Sequence, residues 1–192
     1  FFVISGFLIT SLLLHEREST GRVSLLGFYA RRARRLLPIS ALVLVLTAVA
    51  AAVVLPAPRL ADIGDDIRAA ALFGANVLFA HRGTDYLTSN LDPSPLQHYW
   101  SLAVEEQFYV VWPALIALVT IGASASSAIR RRSAVAIGGL TVGSFLASGL
   151  LTGAHPSWSY FGLHTRAWEL GVGALVALGA IVGLIPLVAR YE

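Results

Sequence analysis

HYWSLAVEEQFYVVWPALIALVTIGASASSAI, residues 98–129, places two adjacent acids, Glu105 and Glu106, directly before an uncharged run of 23 residues, Gln107–Ile129. At about 1.5 Å rise per residue, roughly 20 apolar residues in a helix cross the hydrocarbon core of a bilayer. Three further uncharged runs have that length: Leu36–Leu55 with 20 residues, Ser133–Ala154 with 22 and Leu170–Ala189 with 20. Hydrophobic residues make up 56% of the 192 and charged residues only 13%, about half the charged share of an average soluble domain. The expected fold is therefore all-α, a polytopic transmembrane helical bundle. Carboxylates at the edge of hydrocarbon are expensive unless partnered, which makes the two glutamates candidates for function.

The chain opens inside another apolar run, Phe1–Leu14, whose 14 residues fall short of a span, and it contains no methionine. Residues 1–192 thus read as one partial transmembrane domain, a piece of a longer protein, with about five spans and a loop at His15–Tyr29. Ala69–Ala80, an apolar candidate of 12 residues between Arg68 and His81, is too short to cross and is expected as a short interfacial or re-entrant helix. With no cysteine, disulfides, thiolate metal sites and a cysteine nucleophile are excluded, and no metal site is expected. The 14 basic residues are all arginine and flank the apolar runs. The basic balance therefore points to the lipid bilayer as partner and not to nucleic acid.

Positive-inside placement puts Arg31, Arg32, Arg34 and Arg35, and also Arg130–Arg132, on the cytoplasmic side. Leu36–Leu55 then leaves the cytoplasm and Gln107–Ile129 returns to it. The glutamates start that return, so they are expected on the extracytoplasmic side, across the membrane from the arginines. Gly139/Gly143 and Gly179/Gly183 have the G-x-x-x-G spacing that permits close helix packing.

Several residues have both a chemical and a plainer reading. On a helix, His98, Ser101 and Glu105 share one face, with Glu106 about 100° away and Trp100 beside it. Equally, Ser101 can cap the helix, the acids can favour its positive end, and Trp100 with Tyr99 and Tyr109 can form an aromatic belt. The Arg31–Arg35 cluster can anchor a helix or clamp phosphates through guanidinium forks. Arg166 and Glu169, at i and i+3, can neutralise each other or hold a polar, sugar-like acceptor.

At these residues the chain resembles the acyltransferase-3 family of integral-membrane O-acyltransferases. The stretches that carry the resemblance are Phe1–Thr10, Phe28–Pro38, His98–Tyr109 and Thr165–Leu175, in the family's order. The resemblance implies transfer of an acyl group, commonly acetyl, from cytoplasmic acyl-CoA to a hydroxyl of an extracytoplasmic glycan or glycosylated small molecule. Acyl-CoA would be a co-substrate and no cofactor would stay bound. A multi-pass location in the cell (inner or plasma) membrane follows. By the same resemblance Arg31, Arg32, Arg34 and Arg35 correspond to the family's Arg-x-x-Arg element near the CoA site, and the family's catalytic histidine lies on a helix before Phe1.

The expected mechanism gives the CoA phosphates to the arginine cluster. Glu105 or Glu106 orients the upstream histidine or binds acceptor hydroxyls, with Glu105 ranked first because it shares a face with Ser101. His98, Trp100, Ser101, Arg166 and Glu169 shape the acceptor side. The competing class is a transporter whose intramembrane charges line a substrate or proton path.

Overall fold

A computed structural model of the chain describes residues 1–83 and 94–179. Among the described residues there are eight α-helices and no strand. They are α1 (Phe2–Thr20), α2 (Leu25–Val54), α3 (Ala57–Ala71), α4 (Ala75–His81), α5 (Tyr99–Val119), α6 (Ser126–Thr152), α7 (Pro156–Phe161) and α8 (Leu163–Ala177). Of these α2, α5 and α6 are long and apolar enough to cross a membrane, and the chain is an all-α membrane helical bundle. The second half of the expected span Leu170–Ala189 lies outside the described residues. The chain gathers into two compact units, one from Phe1–Leu25, Phe108–Leu150 and the stretch from Leu163 onward, the other from Leu26–Gln107 and Leu151–Gly162.

Helix boundaries depart from the uncharged runs because helices continue through charged residues. α1 runs on to Thr20 instead of ending in a loop at His15. The hydroxyls of Ser19 and Thr20 donate back to the carbonyls of His15 and Glu16, both at 2.7 Å. Gly21 closes the helix at φ 75°, its N–H on Arg17 O, a left-handed position that glycine adopts without penalty. α2 likewise begins at Leu25, so Arg31–Arg35 lie inside it and not ahead of it. Its 30 residues make a rod of about 45 Å. The expected single helix Ala69–Ala80 is instead split between the end of α3 and the whole of α4. The break falls at Phe73, whose φ of 52° is in the left-handed region, a strained position for a bulky side chain.

In the first unit α1 lies along α8 at very short range. A methyl group at Gly6 would overlap the Leu170 carbonyl, and one at Gly173 the Val3 carbonyl. The close contacts are therefore made by Gly6 and Gly173. Among the described residues, the expected Gly139/Gly143 pair has nothing within 4 Å of where a methyl group would sit at either position. Gly179 follows the end of α8 in the left-handed region, with φ 69°, and Gly183 lies outside the described residues.

Arg17 fastens α1 to the end of α5. Its Nε donates to Thr120 Oγ1 at 3.2 Å, and its Nη2 to the carbonyls of Thr120 and Ala123 at 3.0 and 2.9 Å. Both carbonyls lie just past the end of α5, and that of Thr120 also accepts from the Ala123 N–H at 3.1 Å. Glu18 pairs with Arg130 at 2.8 Å, so the end of α1 and the start of α6 lie together, as the arginine pattern predicts. Replacing Arg17 with alanine should lower unfolding stability by about 2 kcal/mol, since the lost hydrogen bonds come from a charged group. Lysine should restore less than half of that, lacking the fork that reaches several acceptors. Denaturant titration of the purified protein in detergent measures both.

The second unit has its core in Leu44 of α2, Ala70 of α3, Phe79 and Ala80 of α4, Leu96, Tyr99 and Ala103 around the start of α5, and Phe161 of α7. Asp66, 1% exposed, is held by Arg82 Nη1 at 2.5 Å, which ties α3 to the cap of α4. Neighbouring Asp65 pairs with Arg68 on the same helix, and that guanidinium holds its carboxyl below the usual carboxylate range.

Candidate functional site

Phe28 and Arg32 are one turn apart on α2, which places them on one helix face. Phe28 is buried, so this is the face that packs inward. Arg32 therefore points into the unit, whereas Arg31, Arg34 and Arg35 are exposed. The cluster is thus divided: one inward arginine, three outward.

The inward one meets an acid. Arg32 Nη2 donates to Glu106 Oε1, and the side chains of the two residues are 29% and 14% exposed. Eight residues further along α2, the carbonyl of Ser40 accepts a hydrogen bond from the Tyr99 hydroxyl at 3.4 Å. Position increases along α2 while it decreases along α5, so the two helices run antiparallel. Arg32 lies seven residues into α2 and Glu106 seven residues into α5, about 10 Å in each case. The ion pair sits two turns inside both helices.

This arrangement corrects two expectations. The arginine cluster and the glutamate pair are not on opposite faces of the membrane, since residues from each are hydrogen-bonded. The uncharged run alone placed the acids at a helix mouth, but α5 begins eight residues earlier than that run. Glu106 is the acid hydrogen-bonded to Arg32, and Glu105 is buried at 5% exposure on an adjoining side of α5.

Each of the other acceptor-side candidates has a partner within its own unit. His98 precedes the helix and is exposed, with its ring against Tyr99 at 5.1 Å. Ser101 Oγ donates to the His98 carbonyl at 3.2 Å, a local bond at the helix start. Trp100 is half-buried and packs on α7, its ring 5.0 Å from that of Tyr160 and 5.6 Å from that of Phe161. In the first unit, Arg166 Nη1 donates to Glu169 Oε1 at 2.6 Å, the mutual neutralisation that their i, i+3 spacing allows.

Sequence reasoning missed a pair of amides beside the acids. Gln107 follows Glu106 directly, and its Nε2 donates to Asn76 Oδ1 at 2.8 Å and to the Phe73 carbonyl at 2.9 Å. Asn76, on α4, donates in return to Gln107 Oε1 at 3.3 Å and to the Phe161 carbonyl at 3.1 Å. A polar asparagine inside the apolar run Ala69–Ala80 was the signal available for it.

The Arg32–Glu106 pair lies inside the helices that carry it, and comparison with known proteins gives it a context. The family of acyltransferase domains known as acyltransferase-3 matches residues 1–188. The chain belongs to this family. It is 34% identical over 191 residues to the peptidoglycan O-acetyltransferase OatA of Listeria monocytogenes, covering 99% of this chain and 30% of that protein. It is 35% identical over 180 residues to YrhL of Bacillus subtilis, covering 93% of this chain and 28% of that protein. The chain thus spans less than a third of the length of these relatives. No solved structure matches it.

Proposed function

We propose that this chain is the part of a membrane O-acyltransferase that receives the acyl donor, and that the protein moves an acetyl group from cytoplasmic acyl-CoA to a hydroxyl of an extracytoplasmic glycan of the peptidoglycan class. The observation that carries the reading is the Arg32–Glu106 pair, two turns inside α2 and α5, with Arg31, Arg34 and Arg35 exposed on the same segment of α2. Family membership favours this enzyme over a transporter built on the same charges.

The division of the arginine cluster suggests a division of labour. Arg31, Arg34 and Arg35 bind the phosphates of the donor by charge-assisted hydrogen bonds. Arg32 holds Glu106 in place. Transfer requires the attacking hydroxyl and the thioester carbonyl to meet within about 3.5 Å, so one site inside the bundle serves the reaction better than two separated by its thickness. A base takes the hydroxyl proton, the oxygen attacks the carbonyl carbon, and the C–S bond breaks to release CoA as the thiol. That base is a histidine outside these residues, oriented by Glu106. His98, Trp100 and Ser101, at the far end of this part of α5, contribute to the acceptor side.

The test uses the complete gene product in vesicles with labelled acetyl-CoA and envelope glycan. Label should reach the glycan. Joint replacement of Arg31, Arg34 and Arg35 by glutamine should raise the donor KM on the order of tenfold or more, because each lost charge-assisted bond is worth about 1.5 kcal/mol, with kcat little changed. Absence of label in the glycan, or an unaltered donor KM in the triple variant, defeats the proposal.

A further inference from the structure

The acids of α5 are followed immediately by Gln107, and that amide is used to its full capacity. Its Nε2 donates to Asn76 Oδ1 at 2.8 Å and to Phe73 O at 2.9 Å, and its Oε1 accepts from Asn76 Nδ2 at 3.3 Å. Asn76 is 2% exposed, and its remaining N–H reaches Phe161 O at 3.1 Å. The two side chains form a reciprocal clasp with both amide groups satisfied. Buried polar networks complete in this way fix a single arrangement, because any slip leaves groups unpaired in a medium with no water to replace them.

The clasp lands on backbone that has few other ways to be held. Phe73 is the left-handed residue at the break between α3 and α4, and its carbonyl is one acceptor. The Phe161 carbonyl stands at the end of the six-residue helix α7, where helical partners have run out. Three elements, the α3–α4 turn, α4 and α7, therefore meet at Gln107. The adjoining residue on α5 is Glu106. Rotation of α5 about its axis, or a shift along it, would break the clasp and at once move Glu106 away from Arg32.

We propose that Asn76 and Gln107 are positioning residues for acyl transfer: their clasp sets the rotation of α5 so that the Glu106 carboxylate faces Arg32 and the reacting groups. The inference rests on the functional reading above, in which Glu106 serves the reaction. It goes further by assigning two amides that touch no substrate a role in rate.

The test is a double-substitution cycle on the complete gene product in vesicles, read as kcat and donor KM, with membrane content and unfolding midpoint measured beside them. Gln107→Leu and Asn76→Leu should each lower kcat on the order of tenfold, since small misplacements far from the chemistry carry penalties of that size. The donor KM should change by less than about twofold, as the phosphate-binding arginines are elsewhere. Glu106→Asp, which shortens the acid, should also lower kcat. In that background, adding Gln107→Leu should cost less than about threefold more, because the group being positioned is already out of place. Fully multiplying losses, or a loss of rate that tracks a loss of folded protein, would show that the clasp is only structural and overturn the proposal. Wild-type rates for both Glu106→Asp and Glu106→Gln would instead remove the role of Glu106 itself, and the proposal with it.

Discussion

Replacing Arg32 with leucine should destabilise the protein by about 3 kcal/mol, and replacing Arg32 and Glu106 together with leucines should destabilise it by much less. The pair is mostly enclosed, with the Glu106 side chain 14% exposed. Taking away one member leaves the other charge inside a helical bundle without this partner. Taking away both removes the desolvation penalty along with the attraction, and two leucines pack at little loss. Activity should behave in the opposite way. Neither single variant nor the double one should retain more than a small share of the acyl-transfer rate, since Glu106 is needed for the chemistry and Arg32 for its placement. The contrast is measurable by denaturant titration in detergent alongside labelled-acetyl transfer in vesicles. Equal stability losses for the single and double variants would mean that the two side chains are not an interacting pair.

The second large effect concerns the α1–α8 contact. Alanine at Gly6 or at Gly173 should destabilise the first unit by about 2 kcal/mol each, in spite of alanine's better helix propensity of about 1 kcal/mol. At both positions the added methyl meets backbone carbonyl, of Leu170 and of Val3 respectively. Backbone within a helix cannot rotate aside, so the helices must separate. Gly171 forms an intermediate case, because there the methyl meets the Thr141 side chain, which can change rotamer once its 2.7 Å bond to Ile137 O is given up. Gly139→Ala and Gly143→Ala face open space and should be neutral to within about 0.5 kcal/mol or mildly stabilising. Unfolding midpoints of the five single variants test the whole series. A loss at Gly139 or Gly143 comparable to that at Gly6 would place the close contact on α6.

Much of the molecule was legible from residue order. Uncharged runs announced membrane helices because a bilayer admits few other structures, and α2, α5 and α6 each contain one of those runs or most of it. Arginine placement grouped the end of α1 with the start of α6, and the Glu18–Arg130 pair joins them. What misled was the use of charge to mark helix ends. Hydrogen bonding along the backbone continues through arginine and glutamate, so α2 starts about three turns and α5 about two turns before their apolar runs and both carry their charges inside. Once the ends move, Arg32 and Glu106 can meet. The glycine spacing misled for a related reason: G-x-x-x-G states that a close approach is sterically allowed, not that a neighbour is present.

By itself the sequence determined the fold class, the family and the identity of the charged residues that membrane burial makes costly, because these depend on composition and local periodicity. Tertiary structure decided which arginine turns inward, which glutamate it meets and which amides hold that turn of α5. Those choices depend on helix rotation and on the antiparallel pairing of α2 with α5. Rotation is set by contacts between residues far apart in the chain, Arg32 with Glu106 and Asn76 with Gln107, and no local pattern in a sequence encodes it.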